Sequence, residues 1–225
     1  MSDPTELALK SLKRVGRFVE GRPRLVLKMP FEEASQVDVY VDSDYAGCPR
    51  TRKSTSGGCI MMGTHLIKSW SSTQNNAISL SSGEAELYAV VKGVGAGMGA
   101  QQFLKDLGIE AKLRVHTDSS AAQGICKRAG LGTQRHIAVN TLWVQEKLRK
   151  RAFSLFKVKG EYNPADLLTK HLNQEKMLRA LTFMNAEYRE GRPQAAPQRK
   201  GDEHILGEDM EWQIADAVQE ELEDK

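Results

Sequence analysis

Four carboxylates in this sequence stand where a folded chain could bring them together. Asp42 closes the apolar run VDVYVD (37–42), and Asp118 closes KLRVHTD (112–118). Glu86 lies in SLSSGEAELYAVVKGV (79–94), and Asp166 in NPADLLTKHL (163–172). A carboxylate at a strand end points into the crevice where open α/β sheets bind ligands. Four such groups cannot all remain ionised side by side, because each raises the pKa of its neighbours. Hard divalent cations with oxygen ligands remove the conflict, and Mg²⁺ accepts a site of few carboxylates completed by water and phosphate. Two such ions about 4 Å apart can activate a water and stabilise the leaving oxygen of an in-line phosphoryl displacement. Taken singly, each acid has a plainer reading. A strand-end Asp commonly forms a turn or caps a helix, and Asp166 is an acid that the dipole favours at a helix start. The ordered set of four points beyond that, to metal-assisted phosphoryl chemistry.

The elements that must position these acids follow from periodicity and turn signals. VDVYVD predicts a strand, and GGCIMMG (57–63) and HLIKSW (65–70) predict two more, joined by a hairpin turn at Gly-Thr. SLSSGEAELYAVVKGV predicts a turn, an N-cap at Ser81 or Ser82 and a helix. The glycines of KGVGAGMGA (92–100) would each cost about 1 kcal/mol relative to Ala in a helix, so either the helix bends there or close packing compensates. KLRVHTD is a fourth strand. Residues 119–128 and 135–150 read as helices separated by AGLGT (129–133), AFSLFKVKG (152–160) as a fifth strand, and NPADLLTKHL as a helix that Asn-Pro initiates. Upstream, TELALKSLKRVGRFVE (5–20) has helical apolar spacing with basic residues on its other face. Residues 186–207 read as linker, and an acidic helix is expected at about 208–223. Three strands, then a helix, a strand, helices, a strand and a helix define an α/β class with a mixed five-stranded sheet flanked by helices. The ends of the first and fourth strands then fall side by side.

Composition narrows the classes. The chain has 225 residues, 40% hydrophobic and 27% charged, close to the globular average, which argues against collagen, wholesale disorder and a disulfide scaffold. No apolar run approaches the roughly 20 residues of a membrane helix, so no membrane association is expected. MSDPTELALK has acids where a signal peptide is basic and then apolar, so secretion is not expected. Cys48, Cys59 and Cys126 are scattered, with no CxxC pair. They read as reduced thiols of an intracellular protein, cytoplasmic or nuclear, without a zinc site. The net charge of +3 hides an asymmetry: residues 201–225 hold ten acids against Lys225, or −9, leaving +12 on residues 1–200. A basic body suits a polyanionic partner, although a solubilising surface would give the same balance.

Six phrases carry a resemblance. They are VYVDSDYAG (39–47), RKSTSGG (52–58), IKSWSSTQNNAISLSSGEAELYAV (67–90), VHTDSSAA (115–122), QRHI (134–137) and NPADLLTK (163–170). In this order and spacing they resemble the ribonuclease H domain at the C-terminal end of copia-type retrotransposon polyproteins, over about residues 37–172. LKRVGRFVEG (12–21) resembles the end of the preceding reverse transcriptase. The expected organisation is therefore residues 1–30 as a reverse transcriptase remnant, 37–172 as a ribonuclease H-like domain and 173–225 as helical extension, linker and acidic tail. The resemblance implies a type 1 ribonuclease H fold and metal-dependent hydrolysis of the RNA strand of an RNA–DNA hybrid. It assigns the catalytic and metal-binding carboxylates to Asp42, Glu86, Asp118 and Asp166, holding two Mg²⁺ ions, with Mn²⁺ as an alternative. Asp44 and Glu84 rank second. A reverse transcriptase, in cis or in trans, is an implied partner. Cellular ribonucleases H place a His shortly before the last Asp. Here that loop reads KGEYNPAD (159–166), where either Glu161 is a partial substitute or a product-side proton comes from metal-bound water.

A hybrid would be gripped mainly through its phosphates. Candidate contacts are Lys127, Arg128, Arg135 and His136 (the last equally readable as a structural hydrogen-bonder), and then Lys147, Arg149, Lys150 and Arg151 at the next helix end, where the dipole would favour the cationic run LRKRA (148–152) in any case. Reading the 2′-hydroxyl calls for small polar groups. Ser82 and Ser119 flank the acids, and both also suit helix caps. Trp70 and Trp143 read as core residues. Two alternatives stand beside the nuclease: an inactive module of the same fold that binds nucleic acid or protein, and an integrase-like strand transferase. The ELYA helix followed by TDSSAA favours ribonuclease H over the latter.

Overall fold

The computed structural model describes residues 5–22, 24–33, 35–74, 78–132 and 135–191. The acidic segment 201–225, the helix expected at 208–223 and most of the expected linker lie outside the described residues. The chain divides into two units, Leu25–Arg189 and the N-terminal residues to Arg24 together with Glu190 onward. The described part of the latter is essentially one helix, α1 (Glu6–Glu20), whose N-cap Thr5 accepts from the Ala8 amide at 3.2 Å.

Along the chain follow β1 (Arg24–Leu27), β2 (Gln36–Asp44), β3 (Thr55–Met62), β4 (His65–Thr73), α2 (Ser82–Asp106), β5 (Lys112–Thr117), α3 (Ser120–Lys127), α4 (Trp143–Arg149), β6 (Ser154–Lys157), α5 (Gln174–Phe183) and β7 (Ala186–Arg189). The main sheet has the order β4-β3-β2-β5-β6. β2–β3 and β3–β4 are antiparallel, and β2–β5 and β5–β6 are parallel. This is the mixed five-stranded sheet expected, with the first and fourth predicted strands as parallel neighbours: Val39 sits opposite Val115.

Alternation along β2 sends Val37, Val39 and Val41 to one face, where they meet Leu87, Val90 and Val94 of α2 together with Leu113 and Val115. The opposite face carries a smaller cluster of Cys59, Met61, Leu181 and Met184, with Tyr40 against it. Trp70 and Trp143 pack at the edge of the larger cluster.

The glycine-rich run does not break α2, which continues for 25 residues. Gly93 and Gly97, one turn apart, face the sheet. A Cβ at Gly93 would lie 2.3 Å from Val41 Cγ1, and one at Gly97 would lie 2.6 Å from Leu113 Cδ1. Gly95 and Gly99 are exposed with nothing near them. Close packing thus accounts for two of the four glycines, and the helix carries the propensity cost of the others.

Several predicted boundaries need correction. The helix expected over 135–150 begins only as a 3₁₀ turn at Val139–Leu142 before α4. His136 bonds Glu84 and Ile137 enters the core, and these two anchors hold the backbone ahead of Val139 out of the helix. The strand expected over 152–160 shrinks to β6. Arg151 ends α4 in the left-handed region (φ +56), and β6 pairs only with Arg114–Thr117. The PADLL segment is a 3₁₀ turn, Pro164–Leu168, rather than an α-helix. It lies so close over β3 that a Cβ at Gly57 would be 2.6 Å from Thr169 Cγ2. Finally, residues 186–189, expected as linker, form β7 and pair with β1, a strand the sequence reading did not identify. Lys28 and Asn185 bond backbone to backbone beside this ribbon at 2.9 Å.

Alanine substitution should split the four glycines in two. Gly93→Ala and Gly97→Ala should each destabilise by about 1–3 kcal/mol through overpacking. Gly95→Ala and Gly99→Ala should each stabilise by up to about 1 kcal/mol. Urea midpoints measured at constant slope report both, and a loss of stability at all four positions would refute the packing account.

Candidate active site

The parallel pairing of β2 with β5 sets Asp42 beside the chain just past β5, where Asp118 lies. The start of α2 brings Glu86 to the same point. Carboxylate oxygens of Asp42, Glu86 and Asp118 all lie within 4.8 Å of one another. Asp42 is fully buried and the other two are half-buried.

Local bonds explain how three like charges are held. Ser81 caps α2 by accepting from the Glu84 amide at 3.2 Å. The buried side chain of Gln74, just after β4, donates to Ala85 O at 2.9 Å, Ser56 Oγ at 2.9 Å and Ser43 Oγ at 3.2 Å. It therefore ties the start of α2 to β2 and β3. Asn163 caps the Pro164–Leu168 turn through Oδ1, and its Nδ2 donates to Val41 O at 3.0 Å, one residue before Asp42. Gly57, opposite Asp42 in the ladder, leaves room for that turn. Thr169 Oγ1 then donates to Asp42 Oδ2.

Asp166 lies outside the close trio but is linked to it. Lys170 Nζ donates to Asp42 Oδ1 at 3.0 Å and to Asp166 Oδ1 at 2.9 Å. The ammonium is thus a counter-charge between two of the four acids. Burial, with Asp42 and Asp118 nearby, raises the Glu86 carboxyl to about 8. Burial raises Asp42 to about 6 against the opposing pull of Thr169 and Lys170, and burial also raises Asp118. Burial works against the Lys170 charge, yet Asp42 and Asp166 outweigh it and hold its pKa above the ordinary value. Glu86 Oε2 is buried without a hydrogen-bond partner. An orphaned carboxylate oxygen among other hard oxygen donors fits a divalent cation.

The second-ranked acids are engaged elsewhere. Asp44 accepts from the Thr55 amide. Glu84 accepts from the Leu80 amide at 2.7 Å and from the Tyr88 hydroxyl at 2.9 Å, and pairs with His136 Nε2 at 2.9 Å. Of the residues expected at nucleic acid, His136 therefore faces Glu84, and Ser119 caps α3 through the Ala122 amide at 3.1 Å. Arg128 folds back onto Leu131 O at 2.5 Å, and Lys150 pairs with Glu146 at 2.6 Å. Lys127, Arg135 and Arg151 are exposed, and Ser82 opens α2. Glu161, considered in place of the loop His, lines a cavity of about 480 Å³ with Tyr162, Pro164, Asp166 and Phe183. Sequence reasoning missed Gln74, Thr169, Lys170 and the second bond of Asn163. Only Lys170 carried a signal, because a cation four residues after Asp166 shares its side of a helical turn.

No family model matches the chain. It is 28% identical over 177 residues to the retrovirus-related Pol polyprotein from transposon RE1 of Arabidopsis thaliana, covering 77% of this chain and 12% of that protein. It is 31% identical over 139 residues to the corresponding polyprotein from transposon TNT 1-94 of Nicotiana tabacum, covering 61% and 10%. The chain thus spans roughly a tenth of the length of these relatives. Among solved structures it is similar to LC11-RNase H1, crystallised with an RNA/DNA hybrid, at 16% identity and a TM-score of 0.43, covering 60% of this chain and 94% of that one. That likeness is too loose to bear on function. These relatives, each matched over more than half of this chain, are Pol polyproteins of transposons, the group its motifs resemble.

The acid cluster makes stability pH-dependent. Glu86 and Asp42 titrate near 8 and 6 when folded, against ordinary values of 4.5 and 3.8, so the folded chain binds the extra protons. Their contribution to stability is complete below about pH 4 and is lost as the pH rises through 6 towards 8. Metal-free protein should melt at a lower temperature at about pH 8.5 than at about pH 5.5, and Glu86→Gln should flatten that slope. Mg²⁺ should raise the melting temperature more at the higher pH. Equal gains at both pH values would count against a cation among these carboxylates.

Proposed function

We propose that this chain is a metal-dependent endonuclease that hydrolyses the RNA strand of RNA–DNA hybrids, as the ribonuclease H part of a copia-type transposon polyprotein. The observation that carries this reading is the convergence of Asp42, Glu86 and Asp118 within 4.8 Å, at the ends of adjacent parallel strands, with Asp166 joined through Lys170. Relationship to transposon Pol polyproteins supports the substrate class. The nuclease domain, read as residues 37–172, sits within the compact unit Leu25–Arg189. Residues 1–30 correspond to the end of a reverse transcriptase and 173–225 to an extension. A reverse transcriptase in cis or in trans is the expected companion. An intracellular site of action suits the chemistry, and no helix among the described residues is long and apolar enough to cross a membrane.

Asp42, Glu86, Asp118 and Asp166 would hold two divalent ions, Mg²⁺ or Mn²⁺. When bound, these ions supply Lewis-acid activation of water and stabilise the leaving oxygen. The chain's own part is positional. Thr169 engages Asp42 Oδ2 and leaves Oδ1 to the centre of the site, where Lys170 reaches it. Gln74 fixes the first turn of α2 and with it the approach of Glu86. Asn163 fixes the turn that carries Asp166. Ser82 and Ser119 open the two helices that flank the acids, where a sugar hydroxyl could be read. Lys127, Arg135 and Arg151 offer exposed cations to phosphates, with Arg128, His136 and Lys150 released from their internal partners where the hybrid competes. Glu161, which lines one cavity with Asp166, would take part in proton transfer on the product side unless that proton comes from metal-bound water.

Incubation of the purified chain with a labelled RNA–DNA hybrid and Mg²⁺ or Mn²⁺ tests this directly. RNA-strand cleavage is expected, and Asp118→Asn should reduce it by more than about 100-fold. That variant should fold as well as the parent or better, since it relieves carboxylate repulsion. Hybrid binding without cleavage by the parent would replace the nuclease with an inactive module of the same fold.

A further inference from the structure

Helix α1 has a feature that the nuclease reading does not use. Over 15 residues it buries no side chain. Leu9, Leu12, Val15 and Val19 fall on one face and are 52%, 52%, 58% and 56% exposed. Lys10, Lys13, Arg14 and Arg17 fall on the other. An isolated helix of this length is marginal in water, and an amphipathic one gains its stability from whatever covers its apolar face.

The same chain contains a segment of matching chemistry beyond the described residues. Between 201 and 225 the charge is −9, opposite to the basic face of α1. Leu206, Met210, Ile214, Val218 and Leu222 recur at every fourth position, a spacing that would make successive residues neighbours on a helix in a row that turns by about 40° per step. From Gly191 to Leu206 the chain can span about 50 Å at roughly 3.3 Å per residue, so the tether does not restrict where the segment reaches.

We propose that the acidic C-terminal segment docks on α1 of the same chain, its apolar row from Leu206 to Leu222 covering the face of Leu9, Leu12, Val15 and Val19 while its net negative charge offsets the basic charge of α1. This occupant has an apolar repeat for that face and a net charge opposite to that of the helix. It also keeps a run of ten acids engaged, away from any polyanionic partner of the basic body.

Hydrogen–deuterium exchange on the full chain tests the docking. In the parent, amides from Leu9 to Val19 should exchange at least about 10-fold more slowly than in an unstructured peptide. That protection should be the same at low and high protein concentration. In the double variant Ile214→Asp/Val218→Asp, which leaves α1 itself untouched, protection of α1 should fall to near unity while that of β2, β3 and α2 is unchanged. Fast exchange of α1 in the parent, or protection that survives the double variant, overturns the proposal. Protection that grows with concentration also overturns it, and assigns the face to a second copy.

Discussion

Three carboxylates held within 4.8 Å of one another are the constraint around which the rest of this fold is arranged. Like charges at that distance oppose the compact state, and burial strengthens the opposition because water is no longer there to screen them. The chain meets the cost in two ways. It lets the carboxyls of Glu86 and Asp42 hold protons to about 8 and 6, and it brings a tethered cation, Lys170, between Asp42 and Asp166. Neither device satisfies Glu86 Oε2, which remains buried and unpaired. Buried polar atoms in folded proteins are rarely left this way except where a ligand or a chemical role accounts for them.

Such a cluster needs a frame stiff enough to resist its own repulsion. Asp42 lies on β2 and Asp118 one residue past its parallel neighbour β5, so sheet geometry largely sets their separation. Glu86 depends on how closely α2 approaches the sheet. Gly93 and Gly97 govern that approach further along the helix, and Gln74 pins its first turn. Asp166 depends on a 3₁₀ turn that Gly57 admits and Asn163 clamps. Each acid thus has its own support, and the supports lie on different elements. At the other end of β2 the reverse logic holds. Buried Asp38 is paired with Arg114 at 2.5 Å and His116 at 2.6 Å. These partners outweigh burial and hold its carboxyl below the usual range, so it stays charged as part of the framework.

Much of this was legible in the sequence because the signals were local. The alternation of VDVYVD, the capping serine before GEAELYA and the Asn-Pro before Asp166 each specify an element without reference to the rest of the chain. The order of those elements then fixes β2 and β5 as neighbours. What was not legible depends on contacts distant in sequence. Which of the four glycines of α2 face the sheet is decided by Val41 and Leu113, more than 10 residues away along the chain. Gln74 looks like any polar residue after a strand until Ser43, Ser56 and Ala85 surround it. His136 could be read either as a phosphate contact or as a structural hydrogen-bonder, because its partner, Glu84, lies 52 residues earlier. β1 and β7 are four residues each, too short for a period to declare itself, and their pairing links the two ends of the compact unit.

The electrostatics of the two surfaces bear on the order of events at the site. The body of the chain is basic, yet Arg128, His136 and Lys150 are engaged by internal partners, which leaves the exposed Lys127, Arg135 and Arg151 as the first cations a phosphate chain would meet. On the proposed reading, the acid cluster is a region of opposite sign that a hybrid would have to approach for its backbone to be cut. Without added cations, those of the four acids that remain ionised would repel phosphate there, offset in part by Lys170 and Lys157. A divalent ion would invert the local sign, since a bound cation is the largest charge in such a site. On the proposed reading, affinity for the hybrid at the cluster and affinity for the ion would be two sides of one linkage, and the basic residues outside the cluster would hold the polyanion near until the site has the charge to accept it.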